Sequence, residues 1–552
     1  MKVHSSASLC KALFNTAVLL QIIVISIVLL LSACTTAYVP HPAGVVGGWP
    51  ERERFAGMSA GAVCVAMLCV ALLYAVSGPL CRLRGRKALA AVSLAYVAVV
   101  QVIWILALNL EDYGYADAKS LIFAADELVR GDIAYFSPSY CAHHRHMVLC
   151  DTHAVPEGYR YFSYYPYQAG PLLWYALVFR VFGANTIIAF QMMNAVAITG
   201  LVAALWSFAG AIGLNDEGHG AMALLTMTCA PLLMFAAFVY TNAVGFACTA
   251  VGFALVLRAF RARRTSSAYA WTIGGLLIVG VGMVFKSTYI IVLIAAMIAM
   301  VLAVLTNGTY WRLIPTAIGA GIATWMSRVP PVVLERITGQ RFGRGMPMNS
   351  WIMIGLNNPP KANAGWWSGL ALKAFKEADG DYQSQYAFAN RHIAESLAKF
   401  GTDPAYAYRF FSEKLASEWA DPMFMTTYYS QLGHSRWGFR GIAGALLAGP
   451  GSGAFALVQN ALQSVVYALA LAGCVGWFVS TARSRTMDCA MVFARVFLGV
   501  SFLGGFVCYV FWEAKGIYTL PFYLLLLPVA AYGLQCIHRG AKRALMHQKP
   551  GL

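Results

Sequence analysis

Charge is what this chain of 552 residues has least of: Asp, Glu, Lys and Arg together make up 11% of it, against about a quarter in an ordinary soluble domain. That shortage excludes a soluble fold. Internal repeats and low-complexity tracts are also lacking, which removes solenoids and disordered linkers. The 13 cysteines show no zinc-like spacing. Most of them, such as Cys64, Cys69, Cys229, Cys248 and Cys508, fall inside apolar runs and read as small core residues. Negative charge is the scarcer sign, 23 acidic against 40 basic residues for a formal charge of +17. Such a balance could suit nucleic acid, but the basic residues come in short clusters between apolar blocks, where they report membrane orientation. Nucleic acid is therefore not an expected partner, and membrane lipid is.

Hydrophobic residues supply 59% of the chain, in blocks long enough to cross a hydrocarbon core of about 30 Å. After a first run, Leu13 to Ala33, the blocks are Gly57 to Leu80, Ala88 to Leu110, Thr186 to Ile212, Ala221 to Val239, Ala243 to Phe260 and Trp271 to Phe285. Tyr289 to Leu305, Leu313 to Trp325, Ala454 to Val479, Ala490 to Trp512 and Tyr518 to Ile537 complete the set. The expected fold is an all-α, polytopic transmembrane bundle of about 12 spans. The first run has two readings. Lys2 and Lys11 precede it and Leu31-Ser32-Ala33-Cys34 closes it, which resembles a lipoprotein cleavage box, whereas its length suits a retained first helix.

Twelve crossings place the basic clusters Arg82 to Lys87, Arg261 to Arg264, Arg483 to Arg485 and His538 to Arg543 together in the cytoplasm with both termini. The chain then divides into three helices (12–110), a first extracytoplasmic loop (111–185), six helices (186–326), a second extracytoplasmic segment (327–453) and three helices (454–537). Pro166 to Gly183 is apolar but short and contains Arg180, so it reads as an interfacial helix; the alternative is a short thirteenth span. In the second segment, Ala387 to Phe400 has helical periodicity and is expected to stop at Gly401. Asp403 then offers an N-cap and Pro404 a first helical position.

Chemistry needing water belongs to the two long segments. Glu111, Asp112, Asp117, Asp126, Glu127 and Asp132 follow the third span. Carboxylates there can serve as a general base on a hydroxyl, or simply cap helices. Tyr164-Tyr165-Pro166-Tyr167-Gln168 can form an aromatic belt, hold a lipid phosphate or stack on a sugar. Lys286, beside Ser287 and Thr288, and Lys515 sit at span ends, where a lysine either binds phosphate or snorkels to headgroups. Cys141 and Cys150 flank Ala142-His143-His144-Arg145-His146. They are expected to form a disulfide in an oxidising compartment; a metal site using His143, His144, His146 and His153 is the rival.

The order of these elements resembles the GT-C glycosyltransferases. The likeness is to the bacterial polyprenyl-phosphate-sugar enzymes of family 39 type, grouped with protein O-mannosyltransferases and lipid A aminoarabinose transferase. A first loop opening with Asp after a span and a Tyr-Pro element before an apolar stretch ending Phe182-Gly183 carry the likeness. So do Gly345-Met346-Pro347, Trp351-Ile352-Met353-Ile354-Gly355-Leu356, Gly365-Trp366-Trp367 and the late Glu513, Lys515, Tyr518 and Pro521. It spans roughly Ile103 to Gly533; Tyr167 stands where many members have a second proline.

The resemblance implies an integral cell-membrane enzyme, with an extracytoplasmic active site, that moves a hexosyl or pentosyl group from a polyprenyl-phosphate donor to an envelope glycan, lipid or protein with inversion. It implies a first-loop aspartate as base, Asp117 by position with Asp112 second. It further implies substrate contacts by Tyr165, Pro166, Gln168, Lys286, Trp366, Trp367, Glu513, Lys515 and Tyr518. No cofactor follows from it, and a divalent cation stays open. Two other classes compete: a twelve-span secondary transporter, which typically shows repeated halves and ionisable groups at the midplane, and a non-enzymatic membrane subunit.

Overall fold

The computed structural model describes residues 2–38, 52–114, 116–143, 157–435, 438–483 and 488–547. Among them, ten helices are long and apolar enough to cross a membrane, or up to twelve if each of two bent helix pairs counts as one span. The protein is thus a multi-pass, all-α membrane protein. Strands are limited, among the described residues, to two short antiparallel pairs, Thr35–Tyr38 with Arg54–Gly57 and Asp112–Tyr113 with Gly433–His434.

The expected fifth and twelfth spans are each bent pairs. Asp216–Thr228 and Ala230–Ala237 meet at 52°, and Gly516–Leu524 and Leu526–Ala544 at 47°. Proline causes both. Pro231 has no N–H for an intrahelical bond, and Pro528 has none for the carbonyl four residues back and crowds it. The amide of Gln459 closes the first break, its Oε1 accepting from Ala230 N–H at 3.2 Å and its Nε2 donating to the Thr228 carbonyl at 3.4 Å. Inside a membrane no water is present to satisfy such groups, so a neighbouring side chain must.

Other boundaries moved modestly. The ninth span runs as Tyr310–Thr338, beyond the expected end at Trp325. The second and third spans, Ala60–Arg84 and Arg86–Leu108, are separated by Gly85 alone, whose φ of 77° allows the reversal that an L side chain resists. Pro166 to Gly183 forms a 3-10 turn, Pro166–Gln168, and a helix, Ala169–Phe182. In the second long segment the helix Tyr382–Thr402 continues through Gly401, and Asp403 then caps Pro404–Trp419 by accepting from Tyr406 N–H at 2.9 Å.

Small residues set the closest helix contacts. A Cβ at Gly252 of Asn242–Ala259 would lie 2.4 Å from the Gly275 carbonyl oxygen of Thr265–Phe285, and one at Gly282 would lie 2.5 Å from the Gly245 oxygen. Lipid is as apolar as a leucine side chain, so close van der Waals packing rather than the hydrophobic effect holds such pairs together. The first helix, Lys2–Cys34, is built into the bundle by polar contacts. Cys10 Sγ lies 3.3 Å from the Leu302 carbonyl, Gln21 Oε1 lies 3.6 Å from Cys474 Sγ, and the Ser32 and Ser464 hydroxyls are 3.2 Å apart.

The spans alternate so that two sets of connections gather at opposite ends. At one end Arg86 pairs with Asp216 at 2.8 Å, Lys542 with Glu217 at 2.9 Å, and Arg312 donates to the Ala259 carbonyl at 3.0 Å. At the other, the Ala37 N–H bonds to the Ala420 carbonyl at 3.0 Å and Met346 N–H to Tyr164 at 3.1 Å. Both long segments meet at this second end, and the cavity described next lies between them and the span termini.

Candidate functional site

A cavity of about 1040 Å³ is lined by residues from both long segments and from three breaks between spans. Each break is fixed by its own hydrogen bonds. The link Phe238–Thr241 is held by Gln191 donating to Ala237 at 3.0 Å, Asn194 to Phe238 at 2.9 Å and Tyr175 to Val239 at 2.9 Å, which turns Tyr240 into the cavity. Lys286 is the extended residue between Thr265–Phe285 and Ser287–Asn307, and Thr241 clamps the carbonyl before it at 2.9 Å. Trp512 to Lys515 form an extended strap between the last two spans, tied by Ala514 N–H to the Gly365 carbonyl at 2.9 Å.

Asp117 stands in the first turn of the helix Ala116–Arg130, where the dipole favours a carboxylate, and the Tyr161 hydroxyl donates to its Oδ1 at 3.4 Å. Across the cavity the Lys286 ammonium lies 4.1 Å from the Tyr518 ring centre and 5.8 Å from that of Tyr240. Burial pushes Lys286 down from 10.5 to about 8; Glu513 and then Asp117 oppose this, and Lys515 adds to it. Glu513 and Lys515 are both buried at the cavity wall. An aromatic face completes the site, with Tyr165, Trp351 and Trp367 in successive ring contact at 6.1 and 6.0 Å. Gln168 hydrogen-bonds Tyr240.

Of the residues read from sequence, Asp117, Tyr165, Gln168, Lys286, Trp367, Glu513, Lys515 and Tyr518 line this one cavity. Asp112, Pro166 and Trp366 do not. Asp112 accepts from its neighbour Tyr113 N–H at 2.7 Å and sits in the short strand pair. Pro166 packs under Gly345, and the buried Trp366 indole donates to Ser417 at 3.0 Å behind the wall. Of the remaining acids, Asp126 pairs with Arg130 at 2.8 Å and Asp132 caps Ala134 at 3.1 Å. Cys141 is in a disulfide; Cys150, His144, His146 and His153 lie outside the described residues. Among the described residues no three His, Cys, Asp or Glu side chains group as a metal site.

Compared with family models, curated proteins and solved structures, the chain matches none. The site therefore has to be read from its own chemistry. Six cations line the cavity, Arg160, Lys286, Arg328, Arg344, Lys376 and Lys515, against two carboxylates, Asp117 and Glu513, so its field favours an anionic ligand. Sequence reading missed Arg160, Tyr240, Arg328, Arg344 and Tyr382. Arg344 lies 3.8 Å over the Tyr382 ring, a pairing across 38 residues that no local pattern announces. Only Tyr240 had a local cue, a polar Tyr-Thr-Asn run between two apolar blocks.

Proposed function

We propose that the protein is a membrane glycosyltransferase of GT-C type that moves a sugar from a polyprenyl-phosphate donor to an acceptor hydroxyl outside the cytoplasm. The observation that carries this reading is the meeting of Asp117, Lys286, Glu513 and Lys515 with an aromatic wall in one cavity at the ends of the spans. A carboxylate base and a cationic cradle are the two things transfer from a lipid phosphate requires. Asp117 takes the acceptor proton. The acceptor oxygen attacks the anomeric carbon as the bond from that carbon to the phosphate oxygen breaks on the opposite face, and configuration inverts. The phosphate leaves with the bonding pair, and Lys286 and Lys515 stabilise its charge.

Aromatic faces suit the apolar side of a sugar ring, and the volume is at the upper end of small-ligand sites, which run to about 1,000 Å³. The basic clusters favour a cytoplasmic setting for the opposite end of the bundle; on that reading the cavity opens outside and both termini lie within. The bent spans could be taken for the broken helices of a carrier. Neither break carries a charged residue, however, and the first is closed by the neutral amide of Gln459. Purified protein supplied with polyprenyl-phosphate sugars and candidate envelope acceptors tests the reading. Transfer abolished by Asp117→Asn supports it, and counterflow of a solute without any transfer would replace it with the carrier.

A further inference from the structure

The second long segment reaches beneath the cavity. Its helix Pro404–Trp419 carries Lys414, which is fully buried and absent from the cavity wall. The Lys414 ammonium donates to the Gly355 carbonyl at 2.6 Å and to the Trp512 carbonyl at 2.7 Å. Gly355 ends the short helix that bears Trp351, and Trp512 caps the helix Cys489–Phe511 immediately before Glu513. A cation suits the negative end of that long helix. Two glycines make the passage. A Cβ on Gly355 would lie 2.2 Å from the Phe511 carbonyl oxygen, and one on Gly365 would lie 2.9 Å from Lys414 Cδ. Glu418, one turn along and also fully enclosed, is the acid that most favours the Lys414 charge, while burial pushes its own carboxyl up to about 8. Its own backbone carbonyl accepts from Thr519 at 2.6 Å, on the far side of the strap.

We propose that Lys414 is a positioning residue: by joining the Gly355 and Trp512 carbonyls it fixes Glu513 and Lys515 at the cavity wall relative to the helix that bears Trp351. It touches no ligand and acts only through the strap. The ligand part of the inference rests on the anion-binding reading above; the mechanical part does not. This also gives Gly355 and Gly365 a reason: they are the two points at which the backbone must lie close enough for one ammonium to span both carbonyls.

Removing Lys414 alone leaves Glu418 enclosed without its partner cation, so Lys414→Met is paired with Lys414→Met/Glu418→Gln, which takes out both ionisable groups together. Hydrogen exchange on the full-length protein in detergent is the first measurement. Amides of residues 512–519 should exchange about tenfold faster or more in both variants, with those of the helix Asp216–Thr228 at the opposite end unchanged. The second is the pH dependence of farnesyl phosphate binding. Asp117, Glu513 and Lys515 are the charges acting on Lys286, and Glu513 supports its charge most. Loosening the strap should therefore move the alkaline loss of binding to lower pH, a shift that loss of packing alone would not produce. Strap amides as protected as in the wild type overturn the proposal, as does an unmoved alkaline limit. Wild-type protein that binds no farnesyl phosphate would instead sink the donor reading, and exchange alone would then decide the role of Lys414.

Discussion

Lys286→Met keeps the length of the side chain and removes its charge, and the structure sets what that should do. A hydrogen bond to a charged group contributes about 1.5–3 kcal/mol, so a prenyl phosphate should bind roughly 10- to 150-fold more weakly. The wild type carries the same test in its pH dependence. With Lys286 lowered to about 8, about 90% of it is charged at pH 7 and about 10% at pH 9. The sign follows: a lysine pushed down loses its proton as pH rises through about 8, so binding is full below that value and fades above it. The ligand does not confuse the reading, because a phosphate monoester with its second ionisation near about 6 is already a dianion. Apparent affinity should fall about tenfold from pH 7 to pH 9, in proportion to the charged fraction. Trp351, Trp367 and Trp512 line the cavity, so intrinsic fluorescence titrated with farnesyl phosphate reads it directly. Flat wild-type affinity over that range, or an alkaline loss that survives in Lys286→Met, refutes the assignment.

Asp117→Asn should lower turnover by roughly two to four orders of magnitude while farnesyl phosphate still binds; Asp112→Asn should do much less, and a reversal of the two would move the base to Asp112. Single-cysteine probes at Gly85 and Gly308 should react only from the cytoplasm and those at Ser139 and Gly380 only from outside, and cytoplasmic labelling of Gly380 would overturn the sidedness. Gly533→Ala puts a Cβ 1.8 Å from the Leu469 carbonyl oxygen and should destabilise by about 1–3 kcal/mol; an unchanged thermal midpoint at matched scan rate would contradict that contact.

Spans were legible because a hydrocarbon core demands about 20 apolar residues in a row, a requirement visible without neighbours. Their bends were not foreseen, although Pro231 and Pro528 were in plain view, since a proline in a span is often absorbed and its cost depends on what fills the gap. Gln459, more than 220 residues from the break it closes, does so here. The site divides the same way. Asp117, Lys286 and Lys515 could be picked out as charges at span ends, whereas Asp112, five positions earlier and the second choice as base, lies outside the cavity wall and accepts from Tyr113 N–H. Trp366 and Trp367 are adjacent, yet Trp367 lines the cavity while the Trp366 indole donates to Ser417. Lys414 gave no sign at all, because its two acceptors are carbonyls, which every residue has.

The polar ties of the first helix bear on time as well as on shape. Gln21 meets Cys474 across 453 residues of chain, and at about 5–20 residues per second of synthesis its neighbour emerges roughly 20 to 90 s later. For that interval the glutamine waits in the bilayer without the helices that later enclose it. A chain halted just before Ser464 holds this helix by its Cys10 contact with Leu302 but without its ties to Cys474 and Ser464, so a helix made early in synthesis is among the last to be fully locked in place.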